Sequence, residues 1–299
     1  MRSDFSKKKK KVSDDVLRRA GIFTAVFLCC LLLFGGVAVY VVLRAGDERD
    51  DLSLPSVSTE VEAPAPINVL LCLTREEENY SDAMFFLFRW EFESGRIPVT
   101  ALPAETVLTA GEREDTLAGH MTYGGIPQVK NALLTTLGAQ ADRYMILSLT
   151  DFAGFVDKLG GVDYTIPSRL FYKENETLVT ALEPGFQHLN GTMMIQLLSY
   201  PEWSEGREKE IDVQQEVLTA LFNQHSREDT LQELPALFRS LANQARTDLS
   251  APLAEEILKA YQPFLDREEP ARVRTLDGAF ASSDGIVRFT PLGKLEDYA

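Results

Sequence analysis

The stretch Thr150–Pro167, TDFAGFVDKLGGVDYTIP, constrains this chain more than any other, because it holds two elements and the break between them. Phe152, Phe155, Val156 and Leu159 recur at i, i+3, i+4 and i+7, one apolar stripe of a short helix. Thr150 or Asp151 stands where a side-chain oxygen accepts an orphan backbone N–H and caps the start. Gly160 and Gly161 end the helix, because glycine takes the left-handed conformation that a helix C-terminus needs. Val162 to Ile166 then alternates as a short strand, and Pro167 stops it. The unit carries no catalytic group. By its chemistry it is a packing element.

The surrounding pattern is strands alternating with helices. Ile67–Leu73 (INVLLCL) is a nearly continuous apolar run, suited to a strand buried on both faces. Ala83–Trp90 reads as a second strand, Gly95 as a turn, Ile97–Leu102 as a third strand and Tyr144–Leu149 as another. Ile126–Leu137 predicts a helix, with Val129, Leu133 and Leu134 at helical spacing. Leu189-Asn190-Gly191 is a turn into a helix that runs through Met194 and Leu198. Trp203–Lys209 reads as a loop. A long helix follows, with Ile211, Leu218, Leu221 and Phe222 on one face. Leu231–Ala245 and Pro252–Phe264 predict two more amphipathic helices, and the C-terminal region two short strands around Ser282–Gly285. The expected fold class is α/β, an α+β sandwich with a mixed central sheet flanked by helices.

This domain, residues 67–299, is expected to follow a membrane anchor. Residues 1–19 form a short basic tail with an unbroken lysine run, Lys7–Lys11. Ala20–Leu43 is free of charge and, as a helix, would span roughly 36 Å, enough to cross a hydrocarbon core of about 30 Å. Lysines on one side and GDERDD on the other place the N-terminus in the cytoplasm and the bulk of the protein outside the cell membrane. Residues 44–66, with Pro55, Pro64 and Pro66, read as an extended spacer.

Charge narrows the partners. The chain carries a net −15, and residues 44–299 hold 22 basic against 42 acidic residues. So acidic a region does not suit sequence-nonspecific nucleic-acid binding, which works by neutralising phosphates. His120, His188 and His225 are far apart and follow no metal-ligand spacing. Of Cys29, Cys30 and Cys72, only the last lies beyond the apolar span, so no intradomain disulfide is expected there.

Eight blocks give the chain its resemblance: INVLLCL, YSDAM, TALPAET, TYGG, the helix-to-strand stretch above, LEPGFQHLNG, IDVQQ and the final hairpin with Asp284-Gly285. In that order, from Ile67 to Tyr298, they resemble the LytR-CpsA-Psr family of membrane-anchored cell-envelope proteins. The resemblance implies a mixed sheet flanked by helices and an apolar groove that holds a polyprenyl chain. It also implies transfer of glycopolymers from an undecaprenyl-pyrophosphate carrier to peptidoglycan. Such chemistry calls for arginine forks and a divalent cation to match the pyrophosphate charge.

The family's charged motifs are altered in this sequence. The aspartate expected after the first strand falls near Thr74 or Arg75. An Arg-Ser-Asp motif is Tyr80-Ser81-Asp82, and a Pro-Arg-Asp motif is Pro103-Ala104-Glu105. The Asn before the Tyr-Gly-Gly turn is Ala118. The Tyr-x-Arg-x-Arg pattern is Tyr200-Pro201-Glu202-Trp203-Ser204, and two helix arginines become Glu210 and Val213. Removing one transition-state donor costs about 2.7–4 kcal/mol, so losing several should cost many decades in rate. The expectation is a catalytically degenerate member that binds a polyprenyl-linked envelope intermediate or an envelope partner. The alternative is a divergent phosphotransferase. Its candidate catalytic and ligand-binding residues are Arg75 and Arg207, and Asp82 and Glu105 would share a Mg²⁺. A third reading is a surface sensor or scaffold that signals through Met1–Arg19.

Overall fold

The computed structural model of the protein describes residues 64–75, 79–174, 177–226, 236, 241–295 and 298. The expected basic tail, the membrane span and nearly all of the spacer lie outside the described residues. So does most of the helix expected at Leu231–Ala245. Among the described residues, no helix is long and apolar enough to cross a membrane.

Six strands form the central sheet: β1 (Ile67–Thr74), β2 (Met84–Trp90), β3 (Ile97–Leu102), β6 (Arg143–Ser148), β11 (Arg246–Thr247) and β12 (Ala271–Val273). Their order is β11-β6-β1-β2-β3-β12. β1 runs parallel to β6 and antiparallel to β2, so the sheet is mixed, as the sequence predicts. Leu70, Leu71, Cys72 and Leu73 are all buried. Both faces of β1 are covered, which explains why its sequence is an unbroken apolar run rather than an alternation.

One face packs against α1 (Leu117–Leu137) and the hairpin of β4 (Val107–Ala110) and β5 (Arg113–Thr116). The other packs against α2 (Leu149–Leu159), α3 (Gly191–Leu198) and α4 (Arg207–His225). Two short helices, α5 (Ala251–Lys259) and α6 (Gln262–Leu265), join them on that side. Three smaller antiparallel pairs lie around the sheet. They are β7 (Val162–Ile166) with β10 (Gly185–Leu189), β8 (Leu170–Glu174) with β9 (Thr177–Leu182), and β13 (Gly278–Ser283) with β14 (Ile286–Pro291).

The helix-to-strand stretch folds as α2 and β7, with one correction at its start. The N-cap is Ser148, whose Oγ accepts from the Asp151 backbone N–H at 3.0 Å; Thr150 and Asp151 lie inside the first turn. The helix begins at Leu149, three residues before its apolar stripe, and Leu149 is itself buried in the core. At the other end Gly160 adopts φ 95°, and the amides of Gly160 and Gly161 close on Asp157 and Val156. Gly191 has a different reason to be glycine. A Cβ there would stand 2.1 Å from the Ala153 carbonyl oxygen, so α3 and α2 could not approach as they do.

The helix expected over Pro252–Phe264 is two helices, broken at Ala260 and Tyr261. Pro263 sits in the first turn of the second, where its missing N–H costs nothing, and could not continue the first.

Candidate functional site

The register places the C-terminal ends of β1, β3 and β6 at one end of the sheet, since Thr74 pairs with Ser148 and Leu102 with Phe85. Glu105 lies three residues past β3, at this end. The loop before α4 brings Arg207, the first residue of that helix, to meet it. The Arg207 guanidinium donates from Nε to Glu105 Oε1 at 3.0 Å and from Nη2 to Oε2 at 3.1 Å, a bidentate fork. Its remaining Nη1 pairs with Glu210, one turn along α4. Glu210 also accepts from Gln214 Nε2 at 3.1 Å.

One guanidinium thus serves two carboxylates, most of all three groups being buried. Burial works against the charge of Arg207, yet its hydrogen bonds to Glu210 and Glu105 outweigh that and hold it above the ordinary guanidinium range. Burial pushes the Glu210 carboxyl above its ordinary value, and repulsion from Glu105 adds to the rise. One cation does not cancel two anions, so the second carboxylate is the strained member. An anionic ligand would meet a cluster that already has a surplus of negative charge.

The IDVQQ block fixes this geometry. Gln214 Nε2 donates to the Leu198 carbonyl at 2.8 Å, and Gln215 Oε1 accepts from the Ala101 N–H at 3.4 Å. These bonds pin α4 to the end of α3 and to β3. In the loop between α3 and α4, Tyr200 and Trp203 are buried edge to face, centroids 5.2 Å apart. Aromatic bulk therefore stands between positions where the family resemblance leads one to expect arginines.

The other two candidates are not brought into this cluster. Arg75 is exposed just past β1, and Asp82 is exposed in the turn closed by the Ala83 N–H on the Tyr80 carbonyl at 3.2 Å. Neither makes a hydrogen bond or ion pair with another described residue. Glu105 has both oxygens in the Arg207 fork, so a shared Mg²⁺ would have to displace that guanidinium. Among the described residues, no group of three or more His, Cys, Asp or Glu side chains is assembled to hold a metal ion. One exposed carboxylate does not by itself fit Mg²⁺, which needs further oxygen ligands.

The opposite end of the same face is wholly apolar. A partly open cavity of about 230 Å³ lies between the sheet and α2, α4 and α5, lined by Val69, Leu71, Phe88, Trp90, Met145 and Leu147 from the strands. Phe152, Leu218, Leu221, Phe222 and Ile257 close it from the helices, and Tyr261 from the break after α5. Leu73, Phe86, Val213 and Val217 are fully buried or nearly so and fill the interval toward Arg207 with packed core. An engineered apolar cavity of about 150 Å³ stays dry and takes benzene, six carbons. By that scale this cavity has room for roughly two five-carbon isoprene units.

The sequence pattern of the LytR_cpsA_psr family matches residues 56–293. The chain belongs to this family. An uncharacterized protein of Staphylococcus aureus is 22% identical over 227 residues, 75% of this chain and 55% of that protein. The chain therefore spans about half the length of the curated relative it matches. Several solved structures share the fold. TagV of Bacillus subtilis superposes with a TM-score of 0.61 at 13% identity, covering 76% of this chain and 91% of that one. TagT of B. subtilis gives 0.57 at 18%, covering 76% and 84%. A protein from Eubacterium siraeum described as a transcription regulator gives 0.69 at 14%, covering 81% and 93%. At such identities the likeness shows the fold alone.

Within this family fold, sequence reasoning singled out Glu105 and Arg207 but not their mutual pairing. From the sequence alone Glu210 stands out only as a lost arginine. The missed signal is its spacing: Arg207 and Glu210 are i and i+3 on one helix, where opposite charges meet.

Proposed function

We propose that this chain is a membrane-anchored, non-catalytic member of the LytR_cpsA_psr family. It sits in the cell membrane with its N-terminus in the cytoplasm and residues 67–299 outside. There it holds the prenyl chain of a lipid-linked glycopolymer precursor in the cavity between the sheet and α4. The reading rests on one observation: the candidate cation at the site, Arg207, is consumed by Glu105 and Glu210, while the apolar cavity stays open. A scaffold that keeps its lipid space and cancels its own charge is suited to binding the tail and not to steering a phosphoryl group.

Titration of the full-length protein in nanodiscs tests this. A short-chain polyprenyl pyrophosphate and the polyprenol of equal length should bind with similar affinity, rising with chain length and indifferent to Mg²⁺. Tighter binding of the pyrophosphate by tenfold or more in Mg²⁺, lost in Asp82→Ala or Arg75→Ala, would overturn it in favour of the phosphotransferase.

A further inference from the structure

The central sheet has one edge that is only half closed. β12 stands at that edge and pairs with β3 alone. The Pro270 carbonyl accepts from the Ile97 N–H at 2.8 Å, and the Arg274 N–H donates to the Val99 carbonyl at 2.8 Å. Even-numbered residues of this strand therefore turn their backbone groups toward β3, and those of Ala271 and Val273 turn outward. At Ala271 the Asn223 side chain stands in for a neighbouring strand. Its Oδ1 accepts from the Ala271 N–H at 2.8 Å, and its Nδ2 donates to the Ala271 carbonyl at 3.1 Å. At Val273 no described residue does the same.

Val273 instead lines an open cleft of about 730 Å³, with its side chain 41% exposed. The opposite wall is α4. Glu216, Thr219, Ala220 and Asn223 recur there at i, i+3, i+4 and i+7, one face of polar and small residues. Glu268 and Glu269, both exposed, lead into β12. Among the described residues that line the cleft, three carboxylates thus stand against one guanidinium, that of Arg272.

We propose that this edge takes a basic, extended segment of a partner protein as an added strand. The outward N–H and C=O of Val273 offer the main-chain bonds, continuing from the rung that Asn223 fills. Alternate side chains of an added strand project to opposite faces. One set lies over Thr219 and Ala220, which are small enough to admit it, and lysine or arginine there meets Glu216, Glu268 and Glu269. A second copy of this chain does not fit, because it would bring its own glutamates to the same edge and a net charge of −15. The cleft lies on the other side of α4 from the prenyl cavity, whose lining uses Leu218, Leu221 and Phe222, so the two sites are independent.

The test is calorimetric titration of the full-length protein in phosphatidylcholine nanodiscs with a decapeptide of alternating lysine and valine. Decalysine carries the charge without the strand preference of valine, and a glutamate–valine decapeptide carries the preference with the wrong charge; each should bind about tenfold more weakly or worse. Val273→Pro removes the outward N–H and keeps the bonds to β3, and should weaken binding about fivefold or more, while Val273→Ala keeps most of it. Glu268→Lys together with Glu269→Lys should weaken it about tenfold. In the wild type, hydrogen exchange at the Val273 amide should slow when the peptide is bound. Wild-type protein that does not bind the peptide, or that binds decalysine equally well, would overturn the proposal. So would a Val273→Pro protein of wild-type unfolding temperature that binds as the wild type does. Should proline there prevent folding, the exchange measurement decides, and a Val273 amide left unprotected in the peptide complex sinks the idea.

Discussion

The two ends of α4 face the same sheet and solve opposite problems. At Phe222 the helix meets Phe88 and Trp90, ring centroids 4.9 and 6.2 Å away, and leaves a cavity beside them. At Arg207 it meets Glu105 in a bidentate fork and holds Glu210 in a second ion pair. The two lie fifteen positions apart, about 22 Å of helix. Apolar space can be left open at little cost because no atom in it needs a partner, whereas buried charge must be satisfied where it stands. Arg207 accordingly serves Glu105 and Glu210 together. The apolar end has no such group to satisfy.

The largest expected effect is at the charged end. Arg207→Met leaves Glu105 and Glu210 facing each other without a cation. Breaking a buried ion pair from one side costs about 3–5 kcal/mol; the partial exposure of these groups puts the loss near the lower figure. Urea unfolding should show it, and polyprenol binding to the folded protein should be unchanged. A fall in prenyl affinity with no loss of stability would mean the two ends are not independent.

Next in size is the apolar end. Leu221→Trp fills the cavity and should reduce polyprenol affinity by about thirtyfold, roughly 2 kcal/mol. Stability should move by less than about 1.5 kcal/mol, since the added volume enters existing space. This is the reverse of the Arg207 pattern. Equal losses in both assays would show that the space is ordinary core and not a binding site.

The contrast between the ends also explains what the sequence could and could not reveal. The sheet was legible because burial writes itself into composition: INVLLCL is apolar throughout, and Phe152, Phe155, Val156 and Leu159 mark a face. The β4–β5 hairpin was not. Arg113-Glu114-Asp115-Thr116 has no apolar alternation, since its strand gains from pairing and from the stacking of Arg113 on Tyr123 more than from burial. The first turns of α1 were hidden for a related reason. The Tyr-Gly-Gly sequence reads as a turn, and Gly125 indeed has φ 62°, but a helix also precedes it, from Leu117. At the site, the exchange of arginine for glutamate at 210 was visible. That Glu105 would close on Arg207, 102 residues away, was not, because side-chain pairing over that distance is decided by topology.

A smaller effect separates the two carboxylates. Glu210 has its folded-state pKa raised above the ordinary 4.5 by burial and by Glu105. A raised carboxyl contributes stability that is fully present below its unfolded value and is lost as pH rises through the folded value. The wild type should therefore lose stability upward from about pH 4.5, and Glu210→Gln should flatten that decline while keeping the Arg207–Glu105 fork. The difference in slope is read from urea unfolding across pH. If the two proteins share one pH profile, the surplus negative charge is not borne by Glu210.

The smallest effect tests the face that neither end of α4 touches. Cys72 points away from the cavity, into the core beneath α1, and burial pushes its thiol up to about 12. In a Cys29→Ser, Cys30→Ser background, a thiol reagent at pH 8 should label Cys72 only as fast as the protein opens, because the thiolate is the reactive form. Leu221→Trp, which changes the other face, should leave that rate nearly unchanged, while Arg207→Met should raise it in proportion to its lost stability. Faster labelling in Leu221→Trp alone would mean that filling the cavity bends the shared strand β1. The sheet would then be a coupling element between the apolar cavity and the face beneath α1, not a rigid wall between them.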